Sequence, residues 1–162
     1  MDGAAAQGSL QKPRSVIELR ASSPYLPLME MRRFPRTVAS LDAIVAFVHA
    51  FLAERRIDPE HAYDADLVIE EVFTNMVKYG GGTAEIEIGL QADPTRLTIE
   101  LRDFEVDEWD VTRSPEVDIK APLEQRRPGG LGLHLVKRIA ESFRYAYRDR
   151  TSIVTVTTRL HS

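Results

Sequence analysis

The stretch "RPGGLGLHLVKRI" (127–139) sets Gly129, Gly130 and Gly132 close together and then runs into an amphipathic pattern. Glycine costs a helix interior about 1 kcal/mol relative to alanine, so a helix that opens on three of them needs a reason. A helix N-terminus presents unpaired backbone N–H groups and the positive end of the macrodipole. Glycine lets an anion reach those groups with no Cβ in the way. Beyond the glycines, Leu131, Leu135, Ile139 and Phe143 recur at helical spacing, which predicts that they pin a helix over 130–143 to a core. No Gly-Lys-Ser/Thr follows, so this is not a Walker loop. The segment also follows a long loop rather than a strand, so it is not a dinucleotide fingerprint. Taken alone, it reads equally as a hinge in a mobile loop or as a phosphate-binding turn.

Upstream of that helix, residues 104–128 have no clear period and contain Pro115, Pro122 and Pro128. A loop of that length inside a compact domain is usually functional or mobile. Before it, "TAEIEIGLQ" (83–91) and "RLTIELRD" (96–103) alternate apolar and polar residues around "ADPT" (92–95), the pattern of a hairpin with one face on the core. Still earlier, "SLDAIVAFVHAFLAERR" (40–56) predicts a helix with Ser40 as N-cap. Asp58 and Pro59 restart a second helix, which carries "ADLVIEEVFTNMVKYG" (65–80) and stops at "GGG" (80–82). "SVIELR" (15–20) and "LPLMEMRRF" (26–34) read as extended, with Pro27 favouring an edge. After 143, "RYAYRD" and "SIVTVTTRL" form a closing hairpin around "DRT". The expected fold class is an α+β two-layer sandwich, a mostly antiparallel mixed sheet with helices on one face.

Composition sets the bounds. The chain has 162 residues, 43% hydrophobic and 28% charged, enough for one domain with a sizeable core. A net charge of −4 gives no global reason to bind nucleic acid or an anionic membrane. With no cysteine, disulfides and thiolate metal sites are excluded. The longest apolar run, "AIVAFVHAFLA" (43–53), is interrupted by His49 and is far shorter than the ~20 residues a membrane span needs. Residues 1–14 read as a disordered lead without the order of a secretion signal, and 15–25 as an extension of unassigned role. One domain spans 26–162, and a cytoplasmic location is expected.

A second constellation lies on the helix before the hairpin. Glu71 and Asn75 stack one turn apart on a single face, with Lys78 a turn further. A carboxylate can serve as a general base, and an amide oxygen is a hard ligand suited to Mg²⁺. Read alone, Glu70, Glu71, Thr74, Asn75 and Lys78 equally form the polar arc of an ordinary surface helix, with Asn75 at its edge beside Val68 and Val72.

Combined, the features are more specific. Glu-x-x-x-Asn on one helix, a strand ending in Asp103, a long loop and Gly-Gly-Leu-Gly-Leu opening another helix resemble the Bergerat ATP-binding fold, shared by gyrase, heat-shock chaperones, histidine kinases and MutL. Within it, "IEEVFTNMVKYG" (69–80) and "APLEQRRPGGLGLHLVKRIAESFRYAYRDRTSIVTVTTRL" (121–160) are most similar to the bacterial anti-sigma-factor serine/threonine kinases, over about residues 26 to 160. That resemblance implies ATP and Mg²⁺ as cofactors. Glu71 would be the general base and Asn75 the metal ligand, with Lys78 and Tyr79 following on the same motif. Asp103 would accept from the adenine amino group with Thr155 nearby. Residues 104–128 would be the lid, with Arg126 and Arg127 reaching the phosphates. Gly129, Gly130, Leu131, Gly132 and Leu133 would form the phosphate turn. The implied partners are an anti-anti-sigma (antagonist) protein carrying the target serine, a sigma factor and a second copy of the chain, with no direct contact to nucleic acid or membrane.

The chain departs from the family in "DFEVDEWD" (103–110). Glu105 stands where the family's Asp-x-Gly motif has glycine, and its side chain is expected to crowd the base pocket. Five acids in this run are expected to repel triphosphate unless cations offset them. The run lacks the glycine and the final glutamate of an EF-hand, so it reads as a solvated loop. Trp109 reads as a partner-binding residue or a lid over the base, Tyr79 replaces a histidine common in relatives, and His134 reads as a surface or packing histidine. Two functions follow: a kinase that also binds a sigma factor, or a binding module of the same fold with a degenerate pocket. The ATPase half of a histidine kinase ranks below both, because no helical hairpin offering a phospho-accepting histidine is seen in the chain.

Overall fold

The computed structural model describes residues 28–111 and 131–161. Residues 1–27, most of the expected lid (112–128) and Arg126, Arg127, Gly129 and Gly130 lie outside the described residues. Strand β1 (Glu30–Phe34) is followed by a 3-10 turn (Val38–Ser40), helices α1 (Leu41–Glu54) and α2 (His61–Tyr79), and strands β2 (Ile86–Ala92) and β3 (Arg96–Phe104). Helix α3 (Leu131–Ile139) then runs directly into β4 (Ala140–Arg148), and β5 (Thr151–Arg159) closes the fold. The five strands lie in the order β1-β2-β3-β5-β4, and every pairing is antiparallel.

One face of the sheet carries Ile86, Ile88 and Leu90 of β2, Leu97, Ile99 and Leu101 of β3, and Val154 and Val156 of β5, all buried. Onto it pack Ile44, Val48 and Phe51 of α1, Val68, Ile69, Val72 and Phe73 of α2, and Leu133 and Val136 of α3. The opposite face is polar, with Arg102 bonded to Glu100 and Thr98 to Thr157. This is a two-layer sandwich with its helices on one side. No helix among the described residues is long and apolar enough to cross a membrane.

Several local expectations change. Ser40 does not cap α1: its hydroxyl donates to the Pro35 carbonyl instead (2.8 Å), closing the turn that leads into the helix. Asp58 accepts from the Glu60 N–H (2.9 Å), the role of an N-cap, but in a turn just before α2. The chain leaves α2 through Gly81, whose φ of 71° is the left-handed conformation that glycine adopts freely.

The expected helix over 130–143 ends at Ile139, so Phe143 belongs to β4. Leu133 and Val136 dock α3, whereas Leu131 (48% exposed) and Leu135 (39%) face outward. The β4–β5 connection is a two-residue turn, Asp149 and Arg150, both at positive φ, which matches the twist of the paired strands.

Candidate functional site

Helix α2 is amphipathic over its whole length, and its polar edge faces α3. Two of its residues meet that edge. The Glu71 carboxylate lies against Gly132, in the first turn of α3, where a Cβ would fall on the carboxylate itself. Only glycine leaves that space free. Burial raises the Glu71 pKa above the ordinary carboxylate value. Glu70 pushes it further up, while Lys78 opposes. One turn on, Asn75 is buried (7% exposed), and its Nδ2 has no hydrogen-bond partner among the described residues. A buried amide left unpaired costs about 1–3 kcal/mol, so Asn75 is held in an unfavourable place. A half-turn about its last torsion exchanges Nδ2 for Oδ1, a hard oxygen of the kind Mg²⁺ binds. That is one ligand: among the described residues no group of three or more His, Cys, Asp or Glu side chains stands ready to hold a metal ion.

Lys78 and Tyr79 close the helix, both exposed. The Tyr79 ring packs on Trp109 with centroids 5.4 Å apart. Trp109 in turn leans on the core, so the acidic run 103–110 is anchored rather than freely solvated. Val106 N–H donates to the Arg150 carbonyl (3.0 Å), and the Tyr147 hydroxyl donates to the Val106 carbonyl (2.9 Å). Cationic partners offset acids of the run: Asp103 pairs with Arg36, and Asp107 with Arg150 (3.2 Å). Mutual repulsion within the run is correspondingly smaller than the sequence implies.

Asp103, next to last in β3, points to the helix-facing side and is almost fully buried (1% exposed). A Cβ on Gly80 would lie 2.5 Å from its Oδ2, so the glycine that follows α2 is what admits the carboxylate. Opposite Asp103 in the sheet register stands Ser152, whose hydroxyl lies 3.3 Å from that of Tyr145. Thr155, expected beside Asp103, sits elsewhere. It pairs with Glu100 on the outer face, and its hydroxyl donates to that carboxylate (3.4 Å). The odd separation between 152 and 155 puts the two side chains on opposite faces. Ser152 is the β5 residue that shares the inner face with Asp103.

Glu105 does not crowd the pocket. Its side chain is exposed, and its backbone takes the left-handed conformation (φ 59°) that glycine adopts more freely. Between Met76, Gly80, Asp103, Trp109, Ser152 and Val154 lies a cavity of about 10 Å³, room for a single water.

Of the residues proposed from sequence, Glu71, Asn75, Gly132 and Asp103 converge on the α2–α3–β3 corner, while Leu133 supports it from the core. Leu131, although at the turn, faces outward. Arg36 belongs to the same corner and carried no local signal: it follows β1 and reaches Asp103 only through the folded sheet.

The model of the histidine kinase-like ATPase domain family matches residues 34–158. No curated protein matches the chain. Among solved structures, it is similar to the RsbU and RsbW domains of Rv1364c from Mycobacterium tuberculosis, with a TM-score of 0.58 and 16% identity over 83% of this chain. It spans 32% of that longer chain. It is also similar to the SiaB-SiaC complex from Pseudomonas aeruginosa, with a TM-score of 0.54 and 16% identity over 90% of this chain and 96% of that one. At such identities the likeness is one of fold.

Proposed function

Because the chain belongs to the histidine kinase-like ATPase domain family, we propose that it binds Mg-ATP between α2 and the glycine turn and transfers the γ-phosphoryl group to a serine of a partner protein. The observation that carries this reading is the meeting of Glu71 and Gly132 across the α2–α3 interface, one helical turn from a buried, unpaired Asn75 amide. In the transfer, the serine oxygen attacks the γ-phosphorus, the bond to the β,γ-bridging oxygen breaks, and ADP leaves. Glu71 takes the hydroxyl proton. Its raised pKa moves a carboxylate toward the range in which a general base is effective near neutral pH. Asn75 holds the metal ion, which when bound neutralises charge on the phosphate oxygens. Asp103 accepts from the adenine amino group, Ser152 stands beside it, and Trp109 covers the base side. Gly132, with Gly129 and Gly130, offers backbone N–H groups to the phosphates; Arg126 and Arg127 supply charge.

The partner follows from the resemblance to anti-sigma-factor kinases: an antagonist protein whose serine is the acceptor, with a sigma factor held in the alternative state. The chain would act in the cytoplasm, with a homodimer as a further state. That one fold neighbour is described as a two-protein complex supports a protein partner.

A second reading rests on the narrowness of the base cavity and on the Glu71 carboxylate lying at the turn meant for phosphate. In that reading the domain switches partners by protein contacts alone. Titration with Mg-ATP, followed by the fluorescence of Trp109, separates the two. The kinase reading expects saturable binding below millimolar ATP; a flat signal that calorimetry confirms as no binding leaves the binding module. If ATP binds, Glu71→Ala is expected to lose transfer by about 10²–10⁴-fold while still binding nucleotide. Unchanged transfer overturns the base assignment.

A further inference from the structure

Arg36 is the least expected member of this corner. It follows β1, yet its side chain is only 9% exposed. Its Nε donates to the Ala84 carbonyl (3.3 Å) and its Nη1 to the Met76 carbonyl (2.8 Å), while Nη2 pairs with Asp103 Oδ1. Met76 O also takes the Gly80 N–H (2.9 Å), so the guanidinium is clamped to the last turn of α2. The neighbouring glycines leave it room: a Cβ on Gly82 would lie 2.7 Å from Nη2, and one on Gly80 3.0 Å from Nη1. The guanidinium thus stands behind Asp103, on the Ala84 and Gly82 side. The cavity opens on the other side, toward Trp109, Ser152 and Val154.

This geometry separates the two carboxylate oxygens. Oδ1 is committed to a permanent cation, since an arginine stays protonated at any ordinary pH. Oδ2 lies toward Gly80, a residue that lines the cavity. A carboxylate this deeply buried is costly to ionise without a partner, and a protonated one donates as well as accepts.

We propose that Arg36 is a positioning residue for base selection: it holds Asp103 ionised, as an acceptor only, so that the pocket favours a purine with an exocyclic amine over one with a carbonyl at that position. The proposal rests on the nucleotide-binding reading above. Among the described residues, the other titratable groups facing Asp103 are Asp107 from the loop after β3 and Tyr145 from β4. Neither supplies a second cation; α2 and β5 contribute Met76, Gly80, Ser152 and Val154 there.

The test compares ATP with inosine triphosphate, which carries a carbonyl in place of the exocyclic amine and, with it, an N1–H in place of the bare N1. With full-length protein, the ratio of their dissociation constants is measured from about pH 5.5 to 8. Both triphosphates carry the same phosphate ionisations, so these cancel in the ratio. The unsubstituted protein is expected to favour ATP by about tenfold or more, with little change across that range. Arg36→Met is expected to let Asp103 protonate, so its ratio falls toward one and falls further as the pH drops. Arg36→Lys, which keeps the charge, is expected to restore the preference. A preference in Arg36→Met that stays large and independent of pH overturns the proposal while leaving nucleotide binding intact. If the unsubstituted protein binds neither triphosphate, the nucleotide reading falls and takes this proposal with it. Should Arg36→Met fail to fold, the carboxyl carbon of Asp103 in the unsubstituted protein decides by NMR: an ionised signal throughout the range is expected, and a titration within it refutes the role.

Discussion

The two ends of the sheet could not be more differently furnished. At the end beside α3, the space between Asp103 and Trp109 measures about 10 Å³, yet that end holds a buried ion pair, a buried amide without a partner among the described residues and a carboxylate with a raised pKa. At the opposite end, a groove of about 600 Å³ runs between the α1–α2 turn and the β2–β3 turn. There several polar groups are satisfied within the fold. Asp58 accepts from Glu60 N–H, Asp93 from Thr95 N–H and hydroxyl, and the His61 ring from His161 N–H. Arg55 pairs with Glu30 and stacks on Phe51 (3.6 Å). The roomy end holds ordinary turn and capping chemistry, whereas the tight end keeps groups that protein alone leaves unfavourable. Unsatisfied chemistry marks the candidate site better than volume does.

Substitutions at the tight end should therefore separate function from stability. Gly132→Ala is expected to have the largest effect after loss of Glu71 itself. Its methyl group displaces the end of a flexible carboxylate, so phosphoryl transfer should fall by about a hundredfold through misplacement of the base. The fold should hold or gain about 0.5–1 kcal/mol, because alanine suits a helix better than glycine. Equal losses of activity and stability would make Gly132 a packing residue only. Asn75→Leu comes next. Removing an unpaired buried amide should raise stability by about 1 kcal/mol in urea unfolding, while the Mg²⁺-dependent part of ATP binding disappears. A loss of stability there would mean that the amide is satisfied.

Glu105→Gly sharpens the comparison from the backbone side. Relief of a left-handed non-glycine residue should add about 1 kcal/mol, with nucleotide affinity little changed, because the side chain already points to solvent. A large gain in affinity would restore crowding of the pocket as its defect. The smallest effect concerns pH. The raised pKa of Glu71 means that the folded state holds its proton more tightly than the unfolded chain. Stability from this group is present below the unfolded pKa and lost as pH rises through the folded one. In Glu71→Gln that loss should vanish, so the variant gains on the unsubstituted protein between acidic and neutral pH in thermal melts. Asp93, at the roomy end, has the opposite sign: hydrogen bonds from Thr95 lower its pKa, so its contribution is lost as pH falls through the folded value. Asp93→Ala should flatten that acid limb and leave nucleotide binding untouched.

Much of this corner was legible in the sequence because its signals are local. The β2–β3 alternation, the long amphipathic α2 and the glycines at 80–82 and 132 each report a backbone need within a few residues. Where the reading failed, the cause was a period that two structures share. Leu131, Leu135, Ile139 and Phe143 are spaced by four, which suits a helix and also keeps one face of a strand. The switch from α3 to β4 at Ala140 was therefore invisible until Phe143, Tyr145 and Tyr147 lined up as alternating strand residues facing β5. The placing of Thr155 near Asp103 fails on parity: counting by twos from Val154 and Val156 puts Ser152 on the inner face and Thr155 on the outer one. Arg36 could not have been found that way. Its meaning comes from a contact between distant segments that only the assembled sheet brings together.

A metal nucleotide is expected between Asn75 and Gly132 and not in the larger groove. Manganese can replace magnesium and broadens NMR signals near it, so adding Mn-ATP to nitrogen-15-labelled protein reads the position directly. The Asn75 side-chain amide and the Gly132 backbone amide should broaden together at substoichiometric metal, while Asp93 and His161 stay sharp. Broadening at Asp93 and His161 with Asn75 and Gly132 unaffected would contradict the account.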